Sequence, residues 1–414
     1  MSPTEPSAAA PGPLTGYQRR LFVFLSVATF FEGYDFIALT QLLPNLRADM
    51  RLSEAAAGVL VAVINFGTVL AYLLVRRADR WGRRRLMAVT IAGYALFTFA
   101  SGLAPGAASF GVFQLLARMF LIAEWATSMV YAAEEFPADR RGMVIGVIQG
   151  CSSLGAIACA GLAPLLLRTA WGWRTVYLVG VVPLLLLAYA RRGLRESRRF
   201  AAEVGEQGPE RSLWHLWRTP YRRRMIELAL IWAVTYVGTN NAVTFWKEFA
   251  VHERGLSDAQ VGLAITVAAL VSMPMVFYAG TLLDRIGRRP GAAVIFGLTA
   301  FGVFGSYTAR EPWLLTAALV LGIFGASAVL PVLNAYTTEL FPTALRGAAF
   351  AWSNNLLGRI GYVLSPLAIG LAAGRVGWGT SLRATALAPI VALVLIFALL
   401  PETRHKELEQ TAAL

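Results

Sequence analysis

The sequence is poor in the residues from which metal sites, disulfide frameworks and catalytic centres are built. Among its 414 residues it has only two cysteines, Cys151 and Cys159, and three histidines, His215, His252 and His405. The cysteines share one apolar run and lack metal-ligand spacing, and the histidines are scattered, so these residues assemble neither a metal site nor a Ser/His/Asp centre. We therefore expect no metal, no cofactor and no enzymatic activity.

Charged residues are also scarce, and this scarcity excludes an ordinary soluble protein. Only 15% of the residues are charged and 57% are hydrophobic, whereas a soluble domain has about 25% charged and about 45–50% apolar residues. The surplus must face lipid, and a spanning helix needs about 20 mostly apolar residues. We predict an all-α polytopic membrane protein with twelve transmembrane helices. The twelve apolar runs lie at about 21–44, 56–75, 86–104, 108–132, 143–167, 174–190, 225–248, 258–283, 291–309, 312–338, 348–372 and 381–400.

The positive charge of the chain lies in loops between these runs. The net charge is +13, and arginines are concentrated at 76–85, 191–224 and 284–289, while alternate loops such as 105–107 are short and nearly neutral. No basic face with interleaved aromatic residues occurs outside the loops, so nucleic-acid binding is not expected. Because positively charged loops stay in the cytoplasm, we predict a multi-pass protein of the plasma (inner) membrane with both termini cytoplasmic.

An internal repeat divides the chain. The segment Asp79–Arg84 (DRWGRR) recurs 205 residues later as Asp284–Arg289 (DRIGRR), and Tyr131–Gly142 recurs at the same distance as Tyr336–Gly347. A Gly-Trp pair and a Leu-Ser pair recur at nearly the same shift. Such repetition predicts two pseudo-symmetric six-helix bundles. The predicted parts are a disordered tail at 1–13, bundles at 14–190 and 225–400, a cytoplasmic linker at 191–224 and a cytoplasmic tail at 401–414.

These motifs resemble those of the major facilitator superfamily, and the resemblance covers almost the whole chain. Gly280–Arg289 fits the loop motif G-x-x-x-D-R-x-G-R-R, whereas the first copy departs from it at Val75 and Arg77. The E-x-F-P-x-x-x-R-G signatures that begin at Glu134 and Glu339 resemble the sugar and metabolite porter branches. The resemblance implies alternating access by two six-helix bundles around a central site.

In the family these loops are thought to latch one conformation. A tight turn needs glycine where φ is positive, an aspartate at a helix end can interact with a helix N-terminus, and arginines can meet anionic headgroups. A role of the arginines in topology alone is the alternative. The candidate gating residues are Asp79, Arg80, Gly82, Arg83, Glu134, Arg141, Asp284, Arg285, Gly287, Arg288, Glu339 and Arg346.

Acidic residues inside the predicted spans are candidates for proton coupling. A charge at mid-bilayer costs at least about 2.5–3.5 kcal/mol on insertion scales. Glu32 and Asp35 are three residues apart on nearly one helix face, and two buried like charges so close favour protonation of one of them. Their stretch resembles the D-G-x-D signature of aromatic-acid:proton symporters, with Glu in place of the first Asp. Glu124 precedes Trp125, as in the G-E-[WY] step of metabolite symporters. A structural ion pair with an arginine is the alternative.

Arg359 is the candidate for binding a substrate carboxylate. A guanidinium keeps its charge when buried and binds a carboxylate bidentately, and the adjacent Gly358 and Gly361 allow a helix or a ligand to approach. Similar G-R-I-G runs occur in the aromatic-acid symporters. The alternative is that Arg359 balances a helix carboxylate. Further candidates for substrate binding are Asn240, Asn241, Tyr34 and Arg118.

The sequence therefore predicts a secondary active transporter that moves a small organic anion, such as a monocarboxylic or aromatic acid, by proton symport. A sugar or polyol porter and a drug exporter of the same superfamily are the alternatives. No P-loop motif for ATP occurs. The expected partners are a small-molecule substrate, protons and the lipid bilayer, and no obligate protein partner is evident.

The arginine distribution predicts the orientation of the chain. Reporter domains fused after residue 414 and inserted after residue 106 should lie in opposite compartments, the first cytoplasmic and the second outside. Alkaline phosphatase and fluorescent-protein reporters measure this directly, and the reverse result would contradict the predicted topology.

Overall fold

The structure is a computed structural model, and it describes residues 14–77, 81–179, 195, 213–404 and 411. The described residues form helices joined by short turns, and no strand occurs among them. The helices, in chain order, are α1 Gly16–Met50, α2 Glu54–Val75, α3 Arg83–Gly102, α4 Ala107–Glu135, α5 Ala138–Leu166, α6 at 173–179, α7 Arg222–Thr244, α8 Trp246–His252, α9 Asp258–Ile286, α10 Arg288–Ser306, α11 Pro312–Glu339, α12 Thr343–Phe350, α13 Arg359–Val376, α14 Trp378–Ala384 and α15 Leu387–Leu399.

The helices follow the predicted spans and confirm the fold class. Within the described ranges, nine helical segments are long and apolar enough to cross a membrane. The seventh and ninth predicted spans are the helices α7 and α10, and the sixth is described only from 173 to 179. A π-helical segment, Ala351–Gly358, joins α12 to α13 within the eleventh span. The predicted tail at 1–13 lies outside the described residues, as do most of the linker and of the C-terminal tail.

The two halves turn in the same way at equivalent positions. Gly82 and Gly287, which correspond to each other in the repeat, have φ values of 85° and 104° and stand directly before α3 and α10. Gly172 and Gly377, a second corresponding pair, have φ values of 53° and 81°. Positive φ is strained for a residue with a Cβ and free for glycine. The prediction of glycine turns in the repeated loops is therefore confirmed.

Helices of one half pack with their backbones in close contact. A Cβ on Gly155 of α5 would lie 1.8 Å from the main-chain oxygen of Phe30 in α1. In the second half, a Cβ on Gly361 of α13 would lie 1.9 Å from the main-chain oxygen of Ala233 in α7. Small residues permit such approach between membrane helices. The close approach predicted at Gly361 is thus made by a helix.

The halves meet at one end of the bundle, which we call the outer end and define by the helix junctions at 51–53, 253–257 and 377. Here a Cβ on Gly58 of α2 would lie 2.5 Å from the main-chain oxygen of Pro366 in α13. One buried apolar cluster at this end contains Leu42 of the first half together with Phe245 and Ile369 of the second. The outer end is therefore closed.

The opposite end, which we call the inner end, contains the junctions at 76–82, 136–137, 287 and 340–342. Its apolar clusters each stay within one half, around Tyr131 in the first and Tyr336 in the second. Hydrogen bonds between described residues at this end join helices of one half or reach the linker, as Trp352 Nε1 does when it donates to the main-chain oxygen of Leu213 at 3.1 Å. Contact between the halves is thus concentrated at the outer end.

Candidate functional site

A buried polar cluster lies inside the first half. Asp35 of α1 is 3% exposed, and Arg118 and Glu124 of α4 are 2% and 5% exposed. Glu32 is partly buried one turn before Asp35. The charge of Arg118 acts on both Glu32 and Asp35. The structure therefore brings together the three acidic residues proposed for proton coupling and one of the two arginines proposed for substrate binding.

Several charged atoms of this cluster have no hydrogen-bond partner. These are Oε2 of Glu32, Oδ2 of Asp35 and both Nε and Nη1 of Arg118, all of them buried. Glu124 is bound differently, because its Oε1 accepts a hydrogen bond of 2.5 Å from the hydroxyl of Ser128. A buried polar atom without a partner is costly. The cluster can accordingly take up a proton, a water molecule or a ligand group.

A second site lies in the other half around Arg359, at the start of α13. Its guanidinium carbon lies 5.0 Å from the ring centroid of Tyr236 and 5.0 Å from that of Tyr362. Tyr236 is fixed by a hydrogen bond of 2.7 Å from its hydroxyl to Oδ1 of Asn354. Nε of Arg359 is buried without a hydrogen-bond partner. None of the ion pairs between described residues includes Arg359 or Arg118.

The Arg359 site lies next to the seam between the halves. The main-chain oxygen of Tyr362 accepts hydrogen bonds from Nδ2 of Asn65 in α2, at 3.2 Å, and from Nδ2 of Asn240 in α7, at 3.4 Å. Asn65 belongs to the first half and Asn240 to the second. The ring that covers one face of Arg359 is therefore anchored by both halves, and no motif in the sequence pointed to Asn65.

The other candidates for substrate binding already have partners. The hydroxyl of Tyr34 donates to the main-chain oxygen of Val176 at 3.3 Å, and its ring packs in the outer apolar cluster. Nδ2 of Asn241 donates to the main-chain oxygen of Val237 in its own helix at 2.8 Å, although its Oδ1 is buried without a partner. These contacts describe packing residues, and Asn240 is the asparagine next to the Arg359 site.

The loop candidates form the same ion pair in both halves. Arg83 and Glu134 are joined through Nη2 and Oε1 at 3.0 Å, and Arg288 and Glu339 are joined through the same atoms at 2.9 Å. The members of the second pair are the repeat equivalents of the members of the first. Each pair joins the first turn of the third or ninth span to the end of the fourth or tenth. The repeat therefore extends to individual side-chain contacts.

The remaining loop candidates differ in what the structure describes. Asp284 pairs with Arg288 at 2.7 Å, Arg285 is exposed, and Nε of Arg346 donates to the main-chain oxygen of Phe341 at 3.1 Å. Asp79 and Arg80 lie outside the described residues, and so does the side chain of Arg141.

Glu402, which the sequence patterns assign only to a cytoplasmic tail, is bound to the second loop. Its carboxylate accepts hydrogen bonds from the main-chain N–H groups of Arg288 and Arg289, at 2.9 and 2.8 Å, and from those of Thr403 and Arg404. Partial burial opposes ionisation, yet these four N–H groups hold the pKa of Glu402 below its usual value. Its carboxylate thereby covers the N-terminus of α10.

Comparison with known proteins agrees with this architecture. The family model of the Major Facilitator Superfamily matches residues 25–249 and 228–413. The chain belongs to this superfamily. It is therefore a multi-pass membrane transporter that binds a small-molecule substrate, and not an enzyme.

Its similar relatives include named transporters of organic acids. A probable 4-methylmuconolactone transporter of Cupriavidus pinatubonensis is 26% identical, with 91% of this chain and 89% of that protein aligned. A cis,cis-muconate transport protein of Acinetobacter baylyi is 28% identical, over 86% and 89%. A putative niacin/nicotinamide transporter of Bacillus subtilis is 25% identical, over 95% and 98%.

Solved structures share the fold. The xylose transporter of E. coli in an inward-open conformation has a TM-score of 0.77 at 19% identity, covering 94% of this chain and 98% of that chain. A bacterial homologue of the lysosomal transporter Spinster, in an inward-facing conformation, has a TM-score of 0.74 at 16% identity, covering 93% and 97%.

The Arg288 contacts generate a prediction about stability. Glu339 has a side chain 15% exposed, whereas that of Asp284 is 74% exposed, and both bind the same guanidinium. Glu339→Gln should lower the free energy of unfolding by about 1.5–3 kcal/mol, the usual effect of a hydrogen bond to a charged group. Asp284→Asn should change it by less than about 1 kcal/mol, because water screens an exposed pair. Thermal unfolding of both variants in detergent measures the difference, and equal shifts would contradict this interpretation.

Proposed function

We propose that this transporter moves a small organic anion, an aromatic or other monocarboxylic acid, across the inner membrane together with protons. The observation that carries the proposal is the environment of Arg359, a permanent cation inside a transmembrane helix. Its two tyrosine neighbours offer ring faces and no negative charge, and its Nε has no partner. A cation so placed requires an anion during the transport cycle.

A planar carboxylate fits the Arg359 site by its chemistry. The guanidinium fork binds a carboxylate through two parallel hydrogen bonds. The rings of Tyr236 and Tyr362, which lie 78° to each other with centroids 5.4 Å apart, offer flat apolar faces next to the cation. Aromatic rings pack well at such edge-to-face angles. An acid with an aromatic or unsaturated body therefore suits this site better than a flexible chain does.

The names of the relatives support the same cargo class. Muconate and gallate are carboxylates, and the related proteins named for them align over most of this chain. The niacin/nicotinamide transporter is named for small aromatic solutes, one of them an acid. These three proteins share no more than 28% of aligned residues with this chain, so they support the chemical class and leave the particular acid open.

The proton is assigned to the cluster in the first half. Asp35 and Glu32 are carboxyls beside the charge of Arg118, and each has a buried oxygen without a partner. Uptake of a proton by one of them would remove a charge from the cluster, and its release would restore the attraction to Arg118. Glu124, which is held by Ser128, is the third member of the proposed relay.

Alternating access would then move the two bundles, proposed at 14–190 and 225–400, around the space between these sites. The candidate gating residues of the repeated loops would stabilise one arrangement at the cytoplasmic, inner end. A neutral sugar or a cationic drug would leave Arg359 without a counter-charge, and this disfavours both alternative cargoes.

Transport in proteoliposomes tests the proposal. With an acidic exterior, the wild-type protein should accumulate benzoate, nicotinate or muconate and should not accumulate xylose. Asp35→Asn should abolish accumulation while substrate exchange persists, because an amide cannot carry the proton. Asp49→Asn is the matched control, since Asp49 lies near the end of the same helix and pairs with Arg174 at 3.0 Å. Accumulation of xylose instead of the acids would overturn the proposed cargo, and wild-type accumulation by Asp35→Asn would move the coupling role to Glu124.

Arg359→Lys separates substrate binding from charge balance. Lysine keeps the charge but loses the planar fork, so the apparent affinity for the acid should fall by about 10- to 150-fold, the equivalent of one charge-assisted hydrogen bond. Arg375→Lys, at the exposed end of the same helix, should leave the affinity unchanged. If Arg359→Ala regains transport when Asp35, Glu32 or Glu124 is neutralised as well, then Arg359 serves as a counter-ion and the anionic cargo loses its main support.

A further inference from the structure

Two adjacent charged residues are buried at the closed outer end. Lys247 and Glu248 are 1% and 0% exposed, and they lie in the short helix α8 directly after the turn at Phe245 that ends α7. Neither residue belongs to the two central sites. Ions buried so completely are strongly destabilising unless each is paired, so their partners decide what they do.

Glu248 is bound by an arginine of the other half. Nη1 of Arg47, near the end of α1, lies 2.6 Å from Oε2 of Glu248. Nη2 of the same guanidinium lies 2.6 Å from Oε1 of Glu54, at the start of α2. Arg47 therefore holds one carboxylate of its own half and one of the opposite half, and its charge crosses the seam.

Lys247 also crosses the seam. Its ammonium donates a hydrogen bond of 2.6 Å to the main-chain oxygen of Gln41 in α1 and pairs with Oδ1 of Asp258, in α9 of its own half, at 2.5 Å. The two residues of α8 thus reach the same helix of the first half, one through a carboxylate and the other through an ammonium group.

Each of these charges keeps a partner in its own half if the seam opens. Arg47 retains Glu54, and Lys247 retains Asp258. Glu248 retains His252 of the same helix, whose Nδ1 lies 3.2 Å from Oε2. Separation would therefore leave none of the three charges without an opposite or protonatable group, and water would replace the lost contacts. Such an arrangement can open and close at modest cost.

We propose that Arg47, Lys247 and Glu248 form an ion-pair latch that closes the outer end of the cavity and separates in each transport cycle. The latch rests on the transport activity of the superfamily and is independent of the identity of the cargo and of proton coupling. A permanent structural pair would have no need of a second partner within each half.

A native thiol reports whether the latch is open. Cys159 of α5 is 0% exposed, belongs to the outer apolar cluster and lies close enough to Lys247 to be affected by its charge. Cys151 is the only other cysteine of the chain, so Cys151→Ser leaves a single thiol. In the closed arrangement a maleimide cannot reach Cys159, and the rate of labelling of detergent-purified protein therefore measures opening of the outer end.

Glu248→Gln in the Cys151→Ser background should raise the labelling rate of Cys159 by about tenfold, because loss of a close charge pair shifts a two-state equilibrium by at least this factor. Arg47→Lys should do the same, since an ammonium lacks the fork that binds two carboxylates. Arg174→Gln is the matched control, because it removes an ion pair at the same end within one half, and it should label at the rate of the Cys151→Ser parent.

The outcome is decisive even if one variant misfolds. Gel filtration identifies folded protein, and either Glu248→Gln or Arg47→Lys suffices to test the latch. Labelling at the parent rate in the folded variants would overturn the proposal. An equal rise with Arg174→Gln would overturn it as well, because general loosening of the outer end would then explain the result. Neither measurement uses substrate or a pH gradient, so failure of the proposed cargo would leave the result intact.

Discussion

The cost of placing charge in an apolar, membrane-spanning fold is the constraint on which the rest of this structure depends. Buried ionic groups need partners, or they must acquire them from a ligand or a proton. The buried charges follow this rule differently along the bundle. At the inner end they pair within one half, at the outer end they pair across the seam, and in the centre Arg118 and Arg359 have no ion pair among the described residues.

The internal repeat determines the scaffold, whereas the central chemistry breaks it. Pairs such as Arg83–Glu134 and Arg288–Glu339 are equivalent in sequence and in geometry. At the centre, by contrast, the repeat places Asn240 opposite Asp35 and Leu154 opposite Arg359. One half therefore carries a titratable cluster and the other carries a permanent cation. Two different tasks, proton binding and anion binding, can thus be assigned to separate halves of one symmetric frame.

Features that depend on local sequence could be predicted, and those that depend on which helices meet could not. The spans follow from apolar runs, and the turns at Gly82 and Gly287 follow from glycine in a repeated motif. Arg47 and Glu248 belong to different halves and carry no shared motif, so their pairing appears only in the assembled fold. Their one available signal was Lys-Glu at the edge of the seventh span. Tyr34 shows the opposite error, because an aromatic residue beside two acids looked like a binding residue and is a packing residue.

The different pairing at the two ends has a mechanical consequence. The inner pairs join neighbouring spans of one half, so they survive any movement between the halves and help each bundle to move as a unit. The contacts that must change are those across the seam, and the described chain concentrates them at the outer end, where Gly58 packs against Pro366 and α8 contacts α1. Backbone contact through glycine has no side chain to interlock, and charge pairs can exchange protein partners for water. Both kinds of contact form and separate without repacking a bundle core, which allows one fold to expose its central site at either end.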